Sequence, residues 1–459
     1  MSIHSVSGGR TRAAGLAVLV LVVAASTLSC QGMRYGMSNW MRPGTDYDAI
    51  DAERGPDVEV SAQRVDSPDE AASSWSQYRG VDGSGVAAAD SVGLGPGGAD
   101  AAPPEMWRVR VGPAYSSVVV AGDLVITMEQ RRDHECIAAF AFDSGEPVWE
   151  HSWPDRFYEA MSKEGPRGTP AVKDGRVVAV GAKGEVRCLD VASGELLWRR
   201  DLLEEEGKSN IRYGLSASPR ILGDVVVVQG ARSVHGLGLA DGEVRWRALD
   251  EAVGYATPTL GDVLGKPTWI VSTANRIVGV DVETGAEEWS FPWRVFAGLS
   301  ITQPIVVGPD RILVSAGYGK GSKLVSLARG SDGVEVAEVW RSKRFKTRFN
   351  EPVLVGDLAY GLDEGRLACL EVETGKTRWK SGRYGYGQLI AVGDRLLVID
   401  EDGMIHVLIP GPEGAEEVGR FQGPKGETAL NLPALARGRL LVRNEKYLAC
   451  YDLRPEPEM

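Results

Sequence analysis

The side chains that could carry chemistry are few and scattered. His4, His134, His151, His235 and His406 show no helical pairing, and no Cys-x-x-Cys joins them, so a metal centre is disfavoured against ordinary loop histidines. No Gly-x-Ser-x-Gly elbow is present. The run GYGKGSK at 317–323 has the glycines and lysine of a phosphate loop without its spacing, and reads as a hairpin turn. Asp400-Glu401-Asp402-Gly403 lacks the remaining ligands of a calcium loop and reads as another turn, and Glu204 to Glu206 as a solvated loop. Cys188, Cys369 and Cys450 each stand two residues before an acidic residue (Asp190, Glu371, Asp452), where other segments have Gly279 or Ala141. That slot wants a small side chain. Equivalent slots in a repeated structure lie beyond the ~7 Å Cα separation that a disulfide can bridge, so packed thiols are expected, with Cys136 also unpaired. No catalytic residue, metal or cofactor is expected from these side chains.

The elements that position them repeat. In PRGTPAVKDGRVVAVGAKGEVRCLDVASGELLWRR, residues 166–200, a run over 169–173 meets the turn Asp174-Gly175 and the strand 176–180. After Lys183-Gly184 comes a third strand over 185–190, and Ser193-Gly194 turns the chain into a fourth that holds Trp198. Four antiparallel strands of this kind cannot bury both faces alone and must be covered by copies of themselves. Trp107, Trp149, Trp198, Trp246, Trp289, Trp340 and Trp379 recur, with Phe421 where an eighth is due, a period of about 45 residues that suits propeller blades. Gly145, Gly194, Gly242, Gly285 and Gly375 each lie four residues ahead of a Trp. An all-β, eight-bladed β-propeller of four-stranded antiparallel blades is expected, with seven blades as the fallback.

CLDVASGELLW, VGVDVETGAEEW and CLEVETGKTRW resemble the pyrroloquinoline-quinone (PQQ) type repeat over roughly residues 75–453. That repeat builds quinone-dependent alcohol dehydrogenases and also non-enzymatic propellers similar to BamB, the outer-membrane protein assembly lipoprotein. WSQYRGVDGSGVA from Trp75 resembles the opening of exported propellers of the second kind, without the usual proline after Gly80. The quinone enzymes carry adjacent cysteines at the cofactor, and this chain has no Cys-Cys. The resemblance therefore favours a non-catalytic scaffold, with a quinone-dependent or sugar-handling enzyme as the alternative.

A candidate binding surface emerges when the units are aligned on the proline that opens the first strand (Pro170, Pro219, Pro258, Pro304, Pro352, Pro433). Three residues upstream stand Tyr115, Arg167, Ser216, Tyr255, Ile301, Phe349, Tyr386 and Leu430; one residue upstream stand Ser117, Thr169, Ser218, Thr257, Gln303, Glu351, Gln388 and Leu432. Positions two apart share a face in extended chain, so these would form an aromatic and polar collar around one channel mouth, with Arg212, Arg348, Asn350 and Arg383 in the same loops. Tyr115, Arg167, Tyr255, Gln303, Phe349, Glu351, Tyr386 and Gln388 are the candidate partner-binding residues, since Tyr and Arg are favoured where binding energy concentrates. The competing reading packs the aromatics between blades.

Arg10 and Arg12 precede an apolar run from Ala13 to Ala25 that ends in small residues before Cys30, a signal-peptide pattern too short for the ~20 residues of a membrane span. Thr27-Leu28-Ser29-Cys30 resembles a lipoprotein processing box, with Thr27 where an aliphatic residue is usual, so Cys30 is the candidate lipidation site. The expected organisation is signal peptide 1–30, disordered tether 31–74, N-terminal extension 75–106, propeller 107–453 and tail 454–459. The net charge of −12 becomes about −14 once Arg10 and Arg12 are removed, which disfavours nucleic acid and anionic lipid. The expectation is a monomeric ring in the cell envelope that binds a protein or envelope polymer and meets a membrane only through a lipid anchor.

Overall fold

The computed structural model describes residues 45–54, 75–87, 102–425 and 430–454; Cys30 lies outside them. The chain divides into two compact units, one of residues 1–44 with 158–163 and one of 45–157 with 164–459. Within the first, the described part is residues 158–163, which include the short strand Tyr158–Glu159. The second is the propeller.

Eight antiparallel four-stranded sheets follow one another: residues 118–154, 171–201, 220–248, 259–292, 305–342, 353–381, 388–422, and 434–452 with 105–110. They are blades one to eight. Blade two matches the sequence expectation strand for strand, as Ala171–Lys173, Arg176–Val180, Glu185–Asp190 and Leu196–Asp201. Its first turn has Asp174 at φ 49° and Gly175 at φ 70°, the doubly left-handed geometry that matches the twist of a tight hairpin. Alternate residues of the inner strands face the neighbouring blades, and the core is a chain of inter-blade clusters, for example Val178, Val186 and Cys188 against Val226, Val228 and Leu237.

The repeated Trp and the repeated Gly belong to one device. Trp149 of blade one donates its indole N–H to Val191 O of blade two at 3.0 Å, and its ring lies so close to Gly194 that a Cβ there would fall 2.7 Å from it. With φ 73° as well, that position admits only glycine without strain. Trp107, Trp198, Trp246, Trp340 and Trp379 likewise donate to the next blade, at 2.8–3.1 Å. Trp289 is the exception, because blade five replaces the usual turn with a hairpin of two ten-residue strands, Gly321–Gly330 and Gly333–Ser342. Its indole N–H finds no acceptor among the described residues. Cys188, Cys369 and Cys450 face the Trp across the hairpin (Cys188↔Trp198, Cys369↔Trp379, Trp107↔Cys450), where blade four has Gly279. In blade one the equivalent residue is Ala139, not Ala141, because Trp149 pairs with Ala139. All four described cysteines are buried free thiols.

The ring closes by pairing Glu105–Arg110 with Tyr447–Asp452. Arg443, fully buried in blade eight, crosses the seam to donate to Thr127 Oγ1 at 2.6 Å and Met128 O at 2.8 Å in blade one. A helix, Tyr47–Arg54, lies over this seam, so part of the stretch read as a disordered tether is folded. Its apolar content is low, and ion pairs hold it. Arg54 binds Glu129 at 2.7 Å and Glu150 at 2.9 Å, Arg131 binds Asp51 at 2.7 Å, and Glu53 binds Arg110 at 3.1 Å. Burial alone would raise the Glu129 pKa, but Arg54 and Arg131 hold it below the usual range.

Candidate interaction face

Two layers surround the axis where the chain leads into the innermost strands. The deeper layer is a polar belt that ties blade to blade. Ser117 N–H donates to Thr169 Oγ1, Thr169 N–H to Ser218 Oγ and Ser218 N–H to Thr257 Oγ1, each at 2.9 Å. Gln303 continues it by donating Nε2 to Thr257 O at 3.1 Å and its backbone N–H to Glu351 Oε2 at 2.7 Å. Gln388 Nε2 donates to Phe349 O at 2.7 Å, and Ser117 Oγ donates to Leu432 O. Small hydroxyl residues recur at this position because each must cap the preceding blade's backbone inside a buried ring. Of the candidates, Gln303, Glu351 and Gln388 are therefore buried, with partners inside the chain.

The outer layer is aromatic and cationic. Arg167 lies over Tyr115 at 5.1 Å and over Phe157 at 4.6 Å, and donates Nε to Tyr213 O at 2.9 Å. Tyr213 in turn packs on Tyr255, ring centroids 5.8 Å apart. Across the mouth, Arg348 sits over Tyr318 at 4.2 Å and donates to Tyr386 Oη at 2.7 Å, while Phe349 meets Tyr386 edge-on at 5.3 Å. Tyr213, Tyr255, Ile301 and Tyr318 share one apolar cluster, which joins the two arcs. Tyr115, Tyr255 and Phe349 are half-buried and reach the surface; Arg167 and Tyr386 lie buried beneath them. The sequence alignment missed Tyr213, because Ser216 holds the aligned position in that loop. It also missed Phe157 and Tyr318, which lie outside the aligned positions. Arg212, which lies over Tyr213 at 5.2 Å, was the available signal for the first.

The opposite mouth is crossed by residues 75–87. Trp75 O accepts from Val120 N–H at 2.9 Å and Ser76 O from Val172 N–H at 2.8 Å. Arg220 donates to Tyr78 O at 3.0 Å and Asp82 O at 3.1 Å; Arg79 donates to Pro352 O at 2.8 Å. Val86–Ala87 pairs in parallel with Ala391 and Val392, adding a fifth strand to blade seven. The segment thus bonds to the inner strands of blades one, two, three, six and seven. Arg79 approaches Glu351 at 3.9 Å, and burial, opposed by that guanidinium, pushes the Glu351 pKa up to about 7. The WSQYRG motif is a cross-brace, and its arginine is the buried link between brace and belt.

Among the described residues no group of three or more His, Cys, Asp or Glu side chains could hold a metal ion. Ser233, His235 and Glu206 do meet, with Ser233 Oγ 2.8 Å from His235 Nε2, but all three are buried. Glu206 also accepts from the backbone N–H of Ala231 and Arg232 at 3.0 Å, so the trio caps a turn.

Three comparisons bear on identity. A chain from Shewanella oneidensis named outer membrane protein assembly factor BamB is 25% identical over 281 residues, 56% of this chain and 67% of that one. Matches to other curated relatives of that name, from Yersinia pestis and Escherichia coli, span 62% of their length. The crystal structure of BamB from Moraxella catarrhalis superposes with TM-score 0.57 at 17% identity, covering 76% of this chain and 99% of that one. A quinohemoprotein alcohol dehydrogenase from Comamonas testosteroni gives TM-score 0.58 at 12% identity over 94% and 85% of the two chains. At such identities both structures speak for the fold alone. The sequence pattern of the family described as outer membrane protein assembly factor BamB matches residues 132–381, more than half of the chain, and the chain belongs to that family.

Proposed function

We propose that this protein is a non-catalytic scaffold of the cell envelope that binds a protein partner through the aromatic and cationic face, and that residues 75–87 brace the ring from the other side. The observation that carries this reading is the division of labour around the axis. The polar belt is buried and bonds blade to blade within the chain, and the far mouth is crossed by chain, which leaves the half-buried Tyr115, Tyr213, Tyr255 and Phe349 as the side chains that present area. Aromatics held rigid by neighbouring guanidinium groups lose little entropy when a partner covers them. The relatives named as outer membrane protein assembly factors support a protein partner from that assembly process.

The test compares Tyr255→Ala, Phe349→Ala and Tyr386→Ala by thermal unfolding and by capture of an outer-membrane assembly protein from envelope extract. Tyr386, 2% exposed, is expected to lose ~3 kcal/mol or more of stability as a buried aromatic does. The Tyr255 and Phe349 variants are expected to stay folded and lose partner binding by ~2 kcal/mol, the scale of a hot spot. Stable variants that bind as well as the parent, or a parent chain that takes up PQQ with calcium and develops the cofactor's absorbance, would overturn the reading.

A further inference from the structure

The corner of this face between blades four and six carries charge that the net value of −12 conceals. From Arg341 to Arg348 the chain reads RSKRFKTR, with five cations and no carboxylate. Two neighbouring loops add to it. Lys320 Nζ lies over the Trp293 ring at 4.5 Å. Lys323 lies over Phe291 at 4.3 Å and donates to Pro292 O at 3.0 Å. Lys343 donates to Gly319 O at 3.3 Å, and Lys323 faces Arg341 across the hairpin. Some of these cations are neutralised, Arg341 by Glu338 at 2.6 Å and Lys346 by Glu364. Arg294, Lys320, Lys323, Lys343 and Arg344 have no carboxylate within ion-pair reach among the described residues. Burial, with Arg341 and Lys343 near, lowers the Lys320 pKa, and burial brings Lys323 down to about 8. Neutralisation is locally incomplete.

Amid these cations Phe296 projects with 72% of its surface exposed, the largest exposure of any large apolar side chain described. It stands on a three-residue turn, Phe296–Gly298, beside Tyr318 at 6.2 Å between ring centroids. Each of the three loops is held by a non-glycine residue at positive φ: Ala297 at 52°, Tyr318 at 56° and Phe345 at 61°. Such conformations persist only where the surroundings over-determine them and concentrate at binding sites. Phe345, fully buried, pins the third loop by donating its N–H to Asp363 Oδ2 at 3.0 Å, which leaves Lys343 and Arg344 on the surface.

We propose that this corner is a peripheral docking site for an anionic phospholipid surface, with Phe296 entering the interfacial region and Arg294, Lys320, Lys343 and Arg344 meeting lipid phosphates. A single apolar side chain on a convex turn, ringed by cations with aromatic rings under them, suits a fluid interface that yields to it. A folded partner would instead need a preformed pocket for Phe296. Clustered Lys and Arg at a membrane act together, each adding to the attraction by the anionic headgroups. The inference is independent of the protein partner and concerns the outer rim of the face rather than the collar at the axis.

The test is flotation of the full chain with vesicles of phosphatidylcholine, with and without about one-third phosphatidylglycerol, at low and high salt. Neutral vesicles report any contribution from the N-terminal residues, which all variants share. The expected result is binding that needs phosphatidylglycerol, weakens with salt, and falls at least about tenfold in Lys343→Glu/Arg344→Glu and in Phe296→Ser. Equal partition to neutral and anionic vesicles, or anionic binding that survives both variants, overturns it. Binding of a polyglutamate peptide that the charge reversal abolishes, without any binding to phosphatidylglycerol, overturns it in favour of an acidic polypeptide. Circular dichroism of each variant separates loss of docking from loss of fold, and a Lys343→Gln/Arg344→Gln variant, milder than reversal, is expected to show an intermediate loss.

Discussion

Glu135 is the residue whose chemistry is least comfortable. It lies fully buried between blades one and two, accepting from Ala182 N–H at 3.1 Å through one oxygen, while the other finds no donor among the described residues. Burial, with Asp155 near, pushes its pKa up to about 8 from an ordinary 4.5. Between those values the folded state keeps a proton that the unfolded chain has released, so stability falls as pH rises through the window and is indifferent below it. Glu135→Gln, which keeps an acceptor for Ala182, is expected to match the parent near pH 4 and to melt a few degrees higher at pH 8.5. A melting difference that does not grow with pH would contradict this. Nothing in the sequence marks Glu135, because its environment is made by Trp153 and Gly181, brought together only when blades pack.

At the scale of elements, what could be read in advance was local. The hairpin turns, the Trp period and the slots for Cys188, Cys369 and Cys450 follow from adjacent residues, and they place every blade. The belt was half legible. Ser117, Thr169, Ser218 and Thr257 showed as a polar column, but the alignment could not tell a hydroxyl that faces solvent from one that caps the preceding blade. The helix Tyr47–Arg54 was not legible at all, since it has no sustained apolar stripe and draws its stability from partners more than fifty residues away. Its weight rests on Arg54. Without that guanidinium, Arg131 is the described cation left within ion-pair reach of both Glu129 and Glu150. Arg54→Ala is expected to cost ~3–5 kcal/mol in denaturant unfolding, the range for removing one partner of a buried ion pair. A loss under ~1 kcal/mol would show that the helix is a passenger on the seam.

On the scale of the whole molecule, the ring has two unlike ends. One mouth is laced by residues 75–87 and edged by tight turns such as Asp174-Gly175; the other carries the belt, the aromatic arcs and the cationic corner. The net charge of −12 averages over this asymmetry. If partners meet the second end, a crosslinking scan will show it. A photo-crosslinking amino acid is placed at Tyr255 or Phe349 on that face, and at the exposed Asp174 or Asp262 on the other. Tyr255 and Phe349 are both expected to crosslink to the same envelope protein in cells, while Asp174 and Asp262 are not. Crosslinks to that protein from Asp174 and Asp262, with none from Tyr255 or Phe349, would contradict it.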